Sequence, residues 1–476
     1  MNEELKRQTK KGVLWSAAQR FSTQGLQFLT TIVLANFLGP AEYGTIGMLS
    51  IFMGIASVFI DGGFVNALTR KTNRSHADIC TVFYTNISIS FVAYFILFIS
   101  APLVAKFYEM PELCLIVRIY SIALIIGSFS SVQATLLTIK LDFKSQTQIS
   151  VVSLITSAII GVLLAYKGFS YWALVIQTII GTFISTILYW YYSSWRPSLT
   201  FSGKSFNEMF TFGSKFLATM LLNNAYNNIY PLVIGKYFSA STLGNYSRAE
   251  SYANFPSNSL TGMIQRVTYP ILCAMQDNDQ ELAHTYRNFL GLSAFIIFPL
   301  MMGLSALSYP FIIILIGSKW SDCVIMLQIL CFALMWFPIL SINQNLLLVK
   351  GRSDLLLKLE IANKVIGVVT LCISLPWGII LLCWSRLVLS LISLLINTYY
   401  TEKLINYGFI KQIKDISPTF FISISMWGII TFVNSLINNV IVQLVTGILL
   451  GFIFYMIASY LFNRHEFRMV YSLIRK

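Results

Sequence analysis

Apolar residues recur in long blocks along this chain, with polar residues gathered between the blocks. Blocks of about 20 residues, the length a helix needs to cross a bilayer, fall near 12–37, 44–66, 80–104, 113–138, 146–166, 170–192 and 207–235. More follow near 241–270, 287–307, 321–349, 356–376, 379–400, 417–437 and 440–462. The pattern predicts an all-α integral membrane protein of fourteen transmembrane helices. The block at 241–270 is the least apolar; it is polar on both faces, and a kink is expected at Pro256.

Composition sharpens this reading. Of 476 residues, 56% are hydrophobic and only 11% charged, where soluble domains carry about 25% charged residues. Mean hydropathy is +0.71, and no stretch reads as a separate soluble domain. The first block is about twice as long as a signal-peptide core and lacks a small-residue cleavage site, so an uncleaved span is expected. The seven cysteines form no CxxC pair and mostly sit in apolar runs, as small core residues do. His76, His284 and His465 are scattered, so no metal site is expected.

Charge sets an orientation. With a cytoplasmic N-terminus, 22 of the 33 cations fall on inside segments, and outside connections hold only Lys106, Lys167, Lys236 and Lys319. That bias is what the positive-inside rule predicts for an even number of spans with both termini in the cytosol. The net charge of +14 therefore reports topology and contact with anionic membrane lipid, and it does not argue for nucleic acid. Lys71, on an inside connection, is expected to matter for orientation alone.

The chain also repeats itself. "VLANFLGPAEYG" (33–44) aligns with "VIGKYFSASTLG" (233–244) at an offset of 200, pairing Gly44 with Gly244. Both segments sit at the short outside turn after an odd-numbered span. This suggests two parallel halves about a pseudo-two-fold axis: 1–200 with helices 1–6, 201–402 with helices 7–12, and two added helices in 403–476. Gly44 and Gly244 are expected to hinge the turns or cap helices.

Seven cations remain inside predicted spans, among them Arg20, Lys215, Arg248 and Arg266, against the acids Asp61, Glu250 and Glu360. Each costs about 2.5–3.5 kcal/mol on insertion scales, so they need partners, water or substrate. Arg20 shares a helix face with Gln24 and Gln27; Lys215 shares one with Asn223 and Tyr226; Arg248 shares one with Tyr252 and Arg266. Guanidinium binds phosphate in a bidentate fork, and amides and phenols bond sugar hydroxyls. A cavity so lined suits a large anionic, hydroxyl-rich substrate such as a sugar chain on a lipid diphosphate. Asp61 and Glu250 are candidates for ion coupling.

Several segments carry a family resemblance: "LGPAEYG", "DGGFVNALTRK", "SSWRP", "FGSKF", "YNNIYPLVIGKYFSASTLGNYSRAE", "NSLTGMIQRVTYPIL", "KGRSDLLLKLE" and "INTYYTEKLINYGF". Over nearly its whole length the chain resembles the polysaccharide repeat-unit flippases of the multidrug/oligosaccharidyl-lipid/polysaccharide exporter superfamily. It is most similar to the lipopolysaccharide, teichuronic acid and colanic acid exporters. The resemblance implies fourteen helices in two pseudo-symmetric lobes around a central cavity, in a bacterial plasma membrane. It implies alternating access that carries an undecaprenyl-diphosphate-linked oligosaccharide outward, driven by sodium or protons, with no cofactor. It also implies that a polysaccharide polymerase and chain-length machinery take up the product. Arg20, Lys215 and Arg248 would line the cavity. Three alternatives stay open: a lipid II flippase, a multidrug or cation antiporter, and a membrane polysaccharide polymerase. The cation excess disfavours the antiporter. The short outside connections and the lack of a nucleophile–base constellation disfavour an enzyme.

Overall fold

The structure, a computed structural model, describes residues 3–61 and 63–474; the side chains of 3–14, 16–18, 20–21, 61 and 471–474 lie outside the described residues. It is helical throughout, with no strand among the described residues. In lipid this is expected, because a helix satisfies its own backbone hydrogen bonds. Contacts divide the chain into two compact units, 1–244 and 245–476.

Unit 1 begins with α1 (Glu3–Phe37), α2 (Pro40–Gly47), α3 (Ser50–Asp61) and α4 (Phe64–Arg70). It continues through α5 (His76–Tyr108), α6 (Glu112–Tyr120), α7 (Ile122–Ile139), α8 (Phe143–Tyr166) and α9 (Trp172–Tyr192). Then come α10 (Gly203–Asn227) and α11 (Ile229–Tyr237), and the first turn of α12 (Ala240–Ala274). Starts are written in the sequence: Ser75 accepts from the Asp78 amide while the Asp78 carboxylate accepts from Ser75, a capping box. Asp142 and Ser202 cap α8 and α10 by accepting from the Ser145 and Ser205 amides. α1 packs on α8, α7 on α9, and α10 on α3, α4 and α5.

Unit 2 holds the rest of α12, then α13 (Asp279–Ala306), α14 (Ser308–Ile316), α15 (Ser321–Leu334) and α16 (Phe337–Val349). It closes with α17 (Ser353–Ser374), α18 (Ile379–Ile405), α19 (Phe409–Ser435), α20 (Val440–Phe462) and α21 (Arg464–Ile474). Gly317 and Gly378, at φ +90° and +94°, make the two sharp turns before α15 and α18. The core of this unit is bound by polar pairing as well as packing. Asn343 and Gln412 exchange two amide hydrogen bonds of 3.1 Å, and Thr401 donates to Asn343 at 2.7 Å.

Two expectations change here. α12 runs unbroken past Pro256, since a proline inside a membrane helix is tolerated when neighbours satisfy the freed backbone groups. Gly44 and Gly244 neither cap nor terminate a helix; they are where two backbones meet. A Cβ on Gly44 would stand 1.6 Å from the Ala240 carbonyl oxygen, and one on Gly244 would stand 1.8 Å from that of Pro40. The two contacts, 44 with 240 and 244 with 40, exchange under the offset of 200 read from the sequence. Such reciprocity is the signature of a local two-fold axis.

Candidate functional site

Among the described residues, ten segments are long and apolar enough to cross a membrane. Each coincides with a predicted block. The four predicted blocks not among them form α1, α10 with α11, α12 and α17. Those four helices carry most of the intramembrane charge noted in the sequence, including Arg20, Lys215, Arg248, Glu250, Arg266 and Glu360, while Arg118, Arg386 and Asp61 lie in the apolar segments. The site is therefore defined first at the level of elements.

The first of these, α1, presents Gln24 half-buried and Gln27 exposed. The Arg20 and Asp61 side chains lie outside the described residues. α10 is better defined. Met209 and Gly213 are buried where it packs on α3–α5. Lys215, Thr219, Asn223 and Tyr226 follow one another at helical spacing on the opposite face. Lys215 is exposed, while Asn223 and Tyr226 are half-buried. Gly213 allows the close approach behind this face: a Cβ there would meet the Gly63 backbone at 2.9 Å.

The start of α10 is latched, which corrects the expectation for Lys71. Its ammonium donates to Asp78 at 3.1 Å and to Glu208 at 2.9 Å, tying α4 to both α5 and α10. The hydrogen bond to Glu208 does most to hold the Lys71 pKa above its ordinary value. Around this ion triad, Phe64 stacks on Phe206 at 5.5 Å and the Arg70 guanidinium covers the Phe212 ring at 4.6 Å. At the other end of the α10–α11 pair, Lys236 bonds Glu109 at 2.9 Å. Glu208 lies 137 residues from Lys71, and no periodicity in the sequence links the two.

In unit 2, α12 carries Arg248 half-buried, Tyr252 buried and Arg266 exposed. The Tyr252 ring packs edge-on against Phe311 at 5.5 Å, so its body belongs to the core. Glu250 accepts a charge-assisted hydrogen bond of 3.0 Å from Arg386 on α18, both side chains about a fifth exposed. Sequence reasoning counted both charges without joining them. On α17, Glu360 accepts from the Gln344 amide at 3.3 Å. Among the described residues no group of His, Cys, Asp and Glu could hold a metal ion.

A multi-pass membrane protein with ten apolar helices and a minority of polar, cation-bearing ones has the build of a membrane transporter. Residues 33–325 match the polysaccharide biosynthesis protein family, and the chain belongs to that family. It is 26% identical to the teichuronic acid biosynthesis protein TuaB of Bacillus subtilis strain 168, over 91% of this chain and 90% of that protein. It is 25% identical to the lipopolysaccharide biosynthesis protein WzxC of Escherichia coli K12, over 75% of this chain and 73% of that one. Its fold is that of the lipid II flippase MurJ in an inward closed conformation, with a TM-score of 0.78 at 17% identity, covering 95% and 99% of the two chains. An inward-facing multidrug resistance MATE family transporter of the MOP superfamily matches in fold, with a TM-score of 0.60 at 16% identity, over 83% and 98% of the two chains.

Proposed function

We propose that the protein is a flippase that moves an undecaprenyl-diphosphate-linked oligosaccharide repeat unit outward across the bacterial plasma membrane, for surface or extracellular polysaccharide synthesis. One observation carries the reading: α1, α10–α11, α12 and α17 fall outside the ten strongly apolar segments and bear five of the seven intramembrane cations, Arg118 and Arg386 lying in apolar ones. We infer that α1, α10–α11, α12 and α17 also cross the membrane, making fourteen spans in two lobes, 1–200 and 201–402, with two added helices, and that their polar faces line the transport path. Membership of a polysaccharide biosynthesis family supports this, as do relatives named for teichuronic acid and lipopolysaccharide synthesis.

In this scheme Arg20 and Lys215 grip the diphosphate, with Arg248 and Arg266 extending the positive lining. Gln24, Gln27, Asn223 and Tyr226 bond sugar hydroxyls, and Tyr252 contributes only its phenol edge. The lobes alternate between access states as the substrate binds one state more tightly than the other. Opening to the cytosol then requires α10 to part from α4, where Lys71 bridges Glu208. Asp61 is the candidate for sodium or proton coupling; Glu250, already engaged by Arg386, is a weaker one. Both termini lie in the cytosol, and a polymerase with its chain-length machinery receives the product outside. The protein works as a transporter and carries out no covalent chemistry.

The test is a deletion strain. Its cytoplasmic leaflet should accumulate a lipid-linked oligosaccharide, identified by mass spectrometry of extracted lipids, and surface glycan should fall. Accumulation of lipid II alone would reassign the cargo, and loss of resistance to cationic dyes with unchanged glycan would reassign the class. Arg20→Ala should abolish export at normal membrane abundance, while Arg20→Lys should keep part of it because the charge survives and the fork is lost.

A further inference from the structure

Unit 1 contains a cavity of about 570 Å³ between α3, α4 and α7, within the range of small-ligand sites. Its polar lining includes Ser57, Asn66, Thr69, Ser131, Thr135 and Thr138, and none of its lining residues is ionisable. That is a contrast with the cation-bearing helices: here is polar space without charge, inside apolar helices.

The hydrogen-bond chemistry of the wall is lopsided. Thr69 donates its hydroxyl to the Val65 carbonyl at 2.9 Å, Ser131 to Ser128 at 3.1 Å, Thr135 to Ser131 at 2.7 Å and Thr138 to Ala134 at 3.0 Å. Each hydroxyl hydrogen is thus committed to its own helix. What each oxygen has left is acceptor capacity, since a hydroxyl carries one donor and two lone pairs. Behind the wall, buried Asn86 donates to the Ser131 hydroxyl at 3.0 Å, and its own Oδ1 has no hydrogen-bond partner. The site therefore offers a surplus of acceptors. Asn66 adds an amide that can both donate and accept; with no charged group in the lining, an anion lacks a cation to meet it and an ammonium lacks a carboxylate. A neutral ligand dense in O–H donors fits.

We propose that this cavity is a subsite for an uncharged sugar residue of the transported glycan, separate from the cations that take the diphosphate. The inference rests on the export function proposed above, and it divides the head group by chemistry: phosphate to the cationic helices, neutral sugar to the α3–α4–α7 hydroxyls.

Two experiments test it. In the first, Ala134, which lines the cavity, is replaced in the full-length protein by cysteine and the protein is placed in lipid nanodiscs. Maleimide modification at residue 134 is followed by peptide-resolved mass spectrometry, with maltotriose or sodium pyrophosphate at equal ionic strength. Maltotriose should slow modification several-fold and pyrophosphate should leave it unchanged. Equal rates with and without the trisaccharide, as for a cavity that holds only water, overturn the proposal; so does protection by pyrophosphate alone.

In the second, the cytoplasmic-leaflet pool of lipid-linked oligosaccharide is compared between wild type, the deletion strain, Ala134→Leu, which fills the cavity, and Thr135→Val, which removes an acceptor at nearly constant volume. Leu163→Phe, on the exposed face of α8, is the control and should export normally. Ala134→Leu should accumulate cargo as the deletion does. Thr135→Val should lower export about tenfold, the worth of one hydrogen bond of roughly 1.4 kcal/mol, and it decides the matter if the leucine variant does not reach the membrane. Wild-type export by Thr135→Val, or by a stably inserted Ala134→Leu, overturns the subsite. A deletion strain that accumulates no lipid-linked oligosaccharide overturns the export function instead.

Discussion

Glu250 and Arg386 meet across 136 residues of chain, and the pair shows what residue patterns can and cannot convey. The sequence marks both as charges inside apolar surroundings. It does not show the partner, because pairing is a property of how α12 and α18 pack. The same holds for Lys71, read as an orientation signal and found holding Asp78 and Glu208. Removing one member of a buried pair strands the other charge, at about 3–5 kcal/mol. Glu250 and Arg386 are partly exposed, so Glu250→Ala and Arg386→Ala should each destabilise by about 1–3 kcal/mol. The double alanine variant should recover much of that loss. Thermal unfolding of the purified protein in detergent checks it; a double variant no better than the sum of the singles would show that the ion pair contributes nothing specific.

At the scale of elements, the sequence was most legible where apolarity decides the outcome. All ten strongly apolar segments lie where the hydropathy blocks predict them, because the cost of unmet backbone groups in lipid leaves few alternatives to a helix. At α12 the helix continues through Pro256, although that residue has no backbone N–H to donate. The α10 latch was not legible at all. The Lys71–Glu208 pair is exposed on its Glu208 side, where such pairs contribute about 0.2–1 kcal/mol. The Ser75 amide still serves the buried Asp78, so Lys71→Ala should leave the fold intact and loosen α4 from α5 and α10. Amide hydrogen exchange over 203–212 should rise about two- to fivefold in that variant, with α15 and α16 unchanged as internal references. The closed arrangement of α10 on α4 should lose occupancy in parallel, and cysteine crosslinking between these helices would report it. Alkaline pH should act in the same sense: a lysine whose pKa is raised keeps its pairing below its ordinary value and loses it only above the raised one.

For the whole molecule, two sequence signals apply. Cation bias gives orientation: a reporter fused after Lys476 should be active only if it functions in the cytosol, and a periplasm-specific reporter at the same site should be silent. The offset of 200 marks two matched segments, and the structure brings those segments into contact. Because Gly44 and Gly244 each face a carbonyl of the opposing backbone, Gly44→Ala and Gly244→Ala should each lower stability by about 2 kcal/mol or more, as overpacking does. The two penalties should be similar in size, and unfolding midpoints measured side by side would reveal any inequality.

That mutual approach also bears on how such a chain could arise. A protein half this length, meeting a second copy of itself in the bilayer, would make the same glycine-to-carbonyl touch twice over. Fusing the two copies would demand no new surface there, only a linker, and thereafter each half could drift in sequence so long as neither position regained a side chain.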